Sequence, residues 1–363
     1  MRFRKLDVLA VLGIVMLGLT GMASDEPTRS DSAVELILGR LLPEEGAPPE
    51  ADPGPLEEPF GVDFLADGTM IIVELGGGRV HRLTQEGDFQ TISGDGSTGY
   101  KGDGGPARAA TFNGMHNVAV GPDDAIYISD SWNHCVRRID PDDGTIDTVI
   151  GTGTVGDSGD DGPASNATFN FVMCITFSPD HEALYLADLN NRRIRAVNLA
   201  SGNVSNVAGD GRKGVPTDGK PAASSPLVDP RAVAADSEGR VYILERGGHA
   251  LRVVEADGTI RTVAGTGEAG FRDGPALEAR LNGPKHLAVG PDDSVYIADD
   301  LNGAIRRYDP ETETLSTVLG RGVGHPSLTL LHPHGVCVEG DWLYIVDTGH
   351  DRILRMPRVS SAR

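Results

Sequence analysis

Ile126-Tyr-Ile-Ser-Asp130 is a short run of strand-forming residues that ends on an acid, and the same string returns along the chain. Copies stand at Tyr185-Leu-Ala-Asp188, Tyr242-Ile-Leu-Glu245, Tyr296-Ile-Ala-Asp299 and Tyr344-Ile-Val-Asp347, with a degenerate one at Ile71-Ile-Val-Glu74. The six acids are 48 to 58 residues apart. Periods of this size mark propellers or solenoids. An aliphatic residue follows each acid six positions later (Val80, Val136, Ile194, Leu251, Ile305, Ile353), and another precedes it (Val62, Val118, Ile175, Val233, Leu287, Val336). Each copy therefore reads as four short strands. In the second copy strand A holds Val118-Ala-Val120, B Ala125-Ile-Tyr-Ile128, C Val136-Arg-Arg-Ile139 and D Ile146-Asp-Thr-Val-Ile150. Turn residues such as Gly121-Pro-Asp-Asp124 separate them.

Four-stranded antiparallel units repeated around an axis make an all-β propeller, here of six blades. Strand D ends in glycine in blades 1 to 5 (Gly94, Gly151, Gly209, Gly265, Gly320), but the sixth copy stops after strand C, near Pro357. Val34-Glu-Leu-Ile-Leu38-Gly39 resembles Ser316-Thr-Val-Leu319-Gly320. The expectation is that residues 33–38 supply the missing strand, pairing around Arg352 to Met356, so that an N-terminal strand closes the ring. The competing reading is a short amphipathic helix from Ser32 to Leu42.

Residues 1–23 read as a signal peptide: a basic start at Met1-Arg-Phe-Arg-Lys5, an apolar stretch Val8 to Leu19, and a small-x-small site Gly21-Met22-Ala23 before Ser24. The expected organisation is signal peptide 1–23, linker 24–32, propeller 33–356 and C-terminal tail 357–363. The expected location is periplasmic or extracellular, with no membrane span in the mature chain and a monomeric state. The net charge of −21 opposes phosphate backbones, which argues against nucleic acid and anionic membranes. Three cysteines, Cys135, Cys174 and Cys337, fall on different blades, so they read as small apolar residues rather than a disulfide framework.

These residues resemble the NHL-repeat family. The namesake tripeptide region is Asn133-His134-Cys135, with Asn191-Arg-Arg193 and Asn302-Gly-Ala304 as counterparts. The loops Gly102-Asp-Gly-Gly-Pro-Ala107, Asp160-Asp-Gly-Pro-Ala164, Thr217-Asp-Gly-Lys-Pro-Ala222 and Arg272-Asp-Gly-Pro-Ala276 are similar to inter-blade loops of bacterial NHL proteins. The resemblance implies a fold and not an activity, because such propellers host lyases, lactonases and binding modules.

Repeated residues read as structural. The acid of strand B, with Asn133 close behind Asp130, is expected to hold the B–C turn. Arg137, Arg195, Arg252 and Arg306 are expected to form a surface or inter-blade ladder. The Asp-Gly pairs lack the spaced ligands of a calcium loop and read as tight turns.

Repeated positions that carry non-repeated residues are different. Two positions before each strand A aliphatic stand Phe60, His116, Met173, Arg231, Lys285 and His334. His116, Asn117, Arg231, Lys285, His286 and His334 are therefore the candidate ligand-binding residues, at one mouth of the channel. Met115-His116-Asn117-Val118 and Pro333-His334-Gly335-Val336 are similar to strands of the peptidylglycine amidating lyase, in which histidines from three blades hold zinc. The resemblance implies a divalent metal, zinc or calcium, on His116 and His334. Arg231 occupies the third position, so the set departs from the three ligands a catalytic zinc uses, and the competing reading is unliganded channel histidines. Two functions stay open. One is an exported module that binds a protein, glycan or small-molecule ligand through its loop-rich face. The other is a metal-assisted lyase or lactone hydrolase at the channel mouth, in the manner of streptogramin lyase and gluconolactonase-type propellers.

Overall fold

The computed structural model describes residues 34–39 and 55–359. The expected signal peptide and linker lie outside the described residues. Six antiparallel sheets follow one another, each running A-B-C-D from the axis outwards. In blade 2 these are Met115–Val120, Ile126–Asp130, Cys135–Ile139 and Thr145–Ile150. The sequence selects strands here because β-branched and aromatic residues alternate over five or six positions between turn residues. The molecule is a six-bladed β-propeller.

The apolar cores sit between consecutive blades rather than within one. Ile71, Val73 and Val80 of blade 1 pack with Phe112, Val118, Ile126 and Ile128 of blade 2. The Asp-Gly loops are more than turns. Gly105–Pro106, Lys220–Pro221 and Gly274–Pro275 each add a two-residue fifth strand to strand D of the blade they lead into. The alanine after each proline (Ala107, Ala164, Ala222, Ala276) is buried. Its carbonyl accepts the N–H of the glycine that ended the previous strand D, as in Gly151 N to Ala164 O at 2.9 Å.

The repeated arginines are not a surface ladder. Arg137, Arg195, Arg306 and Arg352 are among the largest fully buried side chains, and Arg252 is buried with them. Each meets the strand B acid of its own blade: Arg306 Nη1 lies 2.8 Å from Asp299 Oδ2, Arg252 Nε 2.8 Å from Glu245 Oε2, and Arg352 Nε 2.7 Å from Asp347 Oδ2. Three of them also reach an acid of the Asp-Gly loop, at Asp103, Asp160 and Asp273. Burial forces this arrangement, because a guanidinium removed from water needs both a counter-charge and acceptors. The strand B acid does accept from the B–C turn, with Asn133 Nδ2 at 2.8 Å from Asp130. Its other oxygen takes the backbone N–H of the loop entering strand A, as in Asn113 N to Asp130 Oδ1 at 2.7 Å and Leu331 N to Asp347 Oδ1 at 2.7 Å.

Blade 6 takes its outermost strand from Glu35–Leu38, which pairs antiparallel with Arg352–Pro357, Leu36 lying opposite Leu354. Gly39 follows at φ +97°, and a Cβ there would stand 2.3 Å from the carbonyl of Asp351. Gly320, at the same place in blade 5, has φ +91° and a Cβ would stand 2.3 Å from the carbonyl of Gly303. Leu36 packs into the core of blades 5 and 6, while Ile37 and Leu38 pack into that of blades 6 and 1. After Pro357 the chain stays attached: Arg358 Nη1 lies 2.8 Å from Asp292 Oδ1, and the Tyr296 hydroxyl donates to Val359 O at 2.7 Å.

Deleting residues 34–39 removes four apolar side chains, Val34, Leu36, Ile37 and Leu38, from two inter-blade cores and bares the edge of Arg352–Pro357. The expected result is a loss of at least about 2 kcal/mol in denaturant unfolding, with self-association of the exposed edge. Unfolding and light scattering equal to the parent would contradict it.

Candidate functional site

Strand A carries a one-residue bulge at its start in five blades. Register slips between Pro59 and Gly61, Met115 and Asn117, Val172 and Ile175, Pro230 and Ala232, and Pro333 and Gly335. A bulge turns the extra residue out of the alternation of the strand. The bulged residues include Phe60, His116, Arg231 and His334. In blade 5 strand A begins at His286, and Lys285 stands just before it.

Four of the six candidate residues form one group, three of them around the ring of Phe60 and Lys285 joined through His334. Phe60, 4 % exposed, lies edge-to-face with His116 at 4.8 Å between centroids and at 4.4 Å from His334. The Arg231 guanidinium sits 5.7 Å from the same ring. Lys285 Nζ is 3.5 Å from His334 Nε2. The remaining two belong to a separate layer. Asn117 Nδ2 donates to His286 Nε2 at 3.0 Å, His286 Nδ1 donates to Val336 O at 3.2 Å, and Asn117 Oδ1 accepts from Ile175 N at 2.9 Å. This layer ties the inner strands of blades 2 and 3 and of blades 5 and 6 to one another, and joins blades 2 and 5 across the axis. It bounds a cavity of about 480 Å³ that also meets Asp63, Cys174, Asp236 and Cys337. Asn117 and His286 thus line the channel and not the mouth. The physical reason is the bulge: it aims residue 116 one way and leaves residue 117 in the ordinary alternation of the strand.

The mouth is electrostatically unusual. Arg231 is 3 % exposed, and among the described residues no hydrogen-bond or ion-pair partner reaches it; its Nε is buried and unsatisfied. Burial, and then the nearby Arg246, bring its pKa down to about 10, so it stays charged near neutrality. Arg246 itself is paired with Asp229 at 2.9 Å. Burial and then Arg231 drive His116 down to about 3, and its Nδ1 donates to Gly114 O at 2.8 Å, which leaves Nε2 as a free acceptor. Burial and the Lys285 ammonium hold His334 well below the ordinary histidine value. Both imidazoles are therefore neutral. Lys285 is balanced by Asp300, 3.5 Å away, and the same carboxylate meets His332 Nδ1 at 2.8 Å and His334 Nε2 at 3.7 Å. With both imidazoles neutral and Arg246 and Lys285 each paired, the mouth keeps one uncompensated positive charge in a chain of net charge −21.

Asp300, His332 and Trp132, whose half-exposed ring stands 5.8 Å from His116, were not singled out from the sequence. A signal existed for two of them. Asp300 directly follows a strand B acid, where other blades carry Leu75, Ser131, Leu189, Arg246 and Thr348. His332 holds φ +50° at a position filled by Gly114 and Gly283 in blades 2 and 5. Among the described residues the group of three or more side chains able to hold an ion is Asp300, His332 and His334; it includes His334 of the expected pair and does not include His116.

A family model for the NHL repeat matches residues 112–139. NHL repeat-containing protein 2 of Bos taurus is 26 % identical over 83 % of this chain, a match that takes up 46 % of that protein. The chain spans less than half the length of the curated relatives it matches, from 46 % of the Bos taurus protein down to 7 % of the human teneurin-1. An auxiliary nutrient binding protein from Bacteroides thetaiotaomicron superposes with a TM-score of 0.63 at 14 % identity, over 89 % of this chain and 75 % of that one. A catalytically inactive virginiamycin B lyase from Staphylococcus aureus, with quinupristin, gives 0.52 at 15 % identity, over 85 % and 83 %. At these identities the structures share the fold.

The depressed pKa of His116 makes stability depend on pH. The neutral ring's contribution is fully present above the ordinary value of 6.5 and is lost as pH falls towards about 3. Between about pH 7 and about pH 5 the parent is expected to lose about 2 kcal/mol more than His116→Gln in urea unfolding. Equal pH slopes for the two proteins would refute a neutral buried His116.

Proposed function

We propose that this chain, an NHL-repeat six-bladed β-propeller, is a binding module that takes a small anionic ligand at the mouth of its channel. The observation that carries the reading is Arg231: a guanidinium held under cover without a partner. Burying an unpaired cation costs several kcal/mol, and a fold that needed only packing there could place an aliphatic residue, as blade 3 does with Met173. A carboxylate or phosphate seated on Arg231 would remove that penalty, with His116 Nε2 accepting from a hydroxyl of the ligand and Phe60 stacking on its flat face. The auxiliary nutrient binding protein from Bacteroides thetaiotaomicron has the same fold, which supports binding as a role for this architecture.

The second reading, a metal-assisted lyase or lactone hydrolase at the same mouth, is favoured by the two imidazoles and one carboxylate gathered beside Lys285. Either reading fits an exported protein. Among the described residues no helix is long and apolar enough to cross a membrane. N-terminal sequencing of the protein from its producing cell is expected to return Ser24 first; an intact Met1 would reject export by cleavage.

Screening of the purified protein by thermal shift and calorimetry against a panel of small mono- and dicarboxylates, sugar acids and phosphates tests the anion. At least one is expected to bind, and Arg231→Met is expected to weaken it by tenfold or more, about 1.4 kcal/mol, while removing the buried charge keeps the fold or strengthens it. An anion bound equally well by Arg231→Met, or no anion bound at all, would move the function to the outer loops.

A further inference from the structure

At the boundary between blades 5 and 6 one repeated position carries an acid that no other blade has. At the residue after the strand B acid, Ser131 and Thr348 use their hydroxyls to hold the inner strand of the next blade, through Val172 O and Pro59 O, both at 2.6 Å. Blade 5 places Asp300 there instead, 4 % exposed, and its carboxylate takes no such carbonyl contact; it faces two imidazoles. His332 occupies a left-handed position that blades 2 and 5 fill with glycine and blades 1 and 3 with Glu58 and Phe171. In blade 6 its side chain reaches the neighbouring blade, where its Nδ1 is spent on Asp300. His334 comes from the bulge two residues later, and its Nδ1 is buried without a partner. A buried carboxylate already balanced by Lys285 does not require two further basic groups.

We infer that Asp300, His332 and His334 form a binding site for a divalent transition metal of the zinc class, facing the channel mouth. Two imidazoles and one carboxylate are donors suited to zinc, cobalt, iron or nickel rather than to calcium or magnesium, which prefer all-oxygen sets. One ligand atom from each of the three residues lies within 4.8 Å of the others. An ion with bonds of about 2 Å needs its ligands roughly 3 to 3.5 Å apart. The Asp300–His332 pair at 2.8 Å and the Asp300–His334 pair at 3.7 Å bracket that spacing. Three protein ligands leave at least one coordination position open towards the mouth. Lys285 is the competitor: its ammonium, 3.5 Å from both Asp300 Oδ2 and His334 Nε2, has to swing aside when the ion enters. The site uses neither Arg231 nor His116, so it stands or falls apart from the anion reading.

The test is calorimetric titration of the metal-stripped full chain with zinc, and with cobalt followed by its visible absorption. One ion per chain is expected. Asp300→Asn and His332→Gly should each weaken binding by tenfold or more. His332→Gly places the residue of blades 2 and 5 in the same backbone conformation, so it keeps the fold while deleting the ligand. Lys285→Met should tighten binding, and the exposed His325→Ala should leave it unchanged. Absence of stoichiometric binding, unchanged affinity in Asp300→Asn and His332→Gly, or a loss in His116→Ala with full binding in His332→Gly would overturn the assignment.

Discussion

The buried pair between a strand C arginine and a strand B acid is the interaction around which each blade is assembled. It repeats in blades 2 to 6, with His81 on Glu74 at 3.2 Å in its place in blade 1. The acid reaches inward to hold the backbone that enters strand A, and in blades 2, 3 and 5 the arginine reaches outward to an acid of the incoming loop. One charged pair thus fixes where the previous blade hands the chain over and at what height the inner strand begins. Replacing such a pair with apolar residues is often neutral, but removing one partner leaves an uncompensated charge and costs about 3–5 kcal/mol. That asymmetry suits a repeat whose loops must all return to the same place.

With the backbone fixed at six equivalent points, the bulge that follows becomes free for chemistry. In five blades the bulged residue, and in blade 5 the residue just before strand A, is released from the alternation of the strand, and the chain uses this freedom unevenly. Blades 1 and 3 contribute the apolar Phe60 and Met173, and blades 2, 4, 5 and 6 the polar groups. Phe60 is the common wall against which His116, His334 and Arg231 rest. Below it, Asn117, His286 and Cys174 are consumed by cross-blade hydrogen bonds, and Asp63, pushed up to about 6 by burial, also accepts from Val120 N of the neighbouring blade. Mouth and channel wall are therefore two layers with different tasks, one residue apart in sequence.

Most of the fold was legible because fixed offsets survive divergence: six acids, six aliphatic residues behind them, and a terminal glycine that also appears at Gly39. The grouping of His116, Arg231, Lys285 and His334 was legible for the same reason, as variation inside a strict frame. The placement of Asn117 and His286 was not. A bulge has no sequence mark of its own here, and one inserted residue reverses which way the next side chain faces. The arginines read as exposed because a charged residue in a strand usually is; what makes their burial tolerable is the strand B acid of the same blade and, in blades 2, 3 and 5, a loop acid more than 30 residues upstream. Asp300 and His332 are not legible in this way, because they stand at other positions of the repeat than His116, Arg231, Lys285 and His334.

The outermost strand of blade 6 has a kinetic consequence. Leu36 lies opposite Leu354, so 318 residues of chain separate the partners. Blades 1 to 5 take their four named strands from consecutive stretches of chain, whereas this pairing has to wait until the final strand has been synthesised and, in an exported protein, translocated. The entropy of closing so long a loop rises only logarithmically, to about 5 kcal/mol. The delay matters more than that penalty. While the five blades and the first two strands of the sixth are being made, the chain carries a short apolar strand with no edge to join.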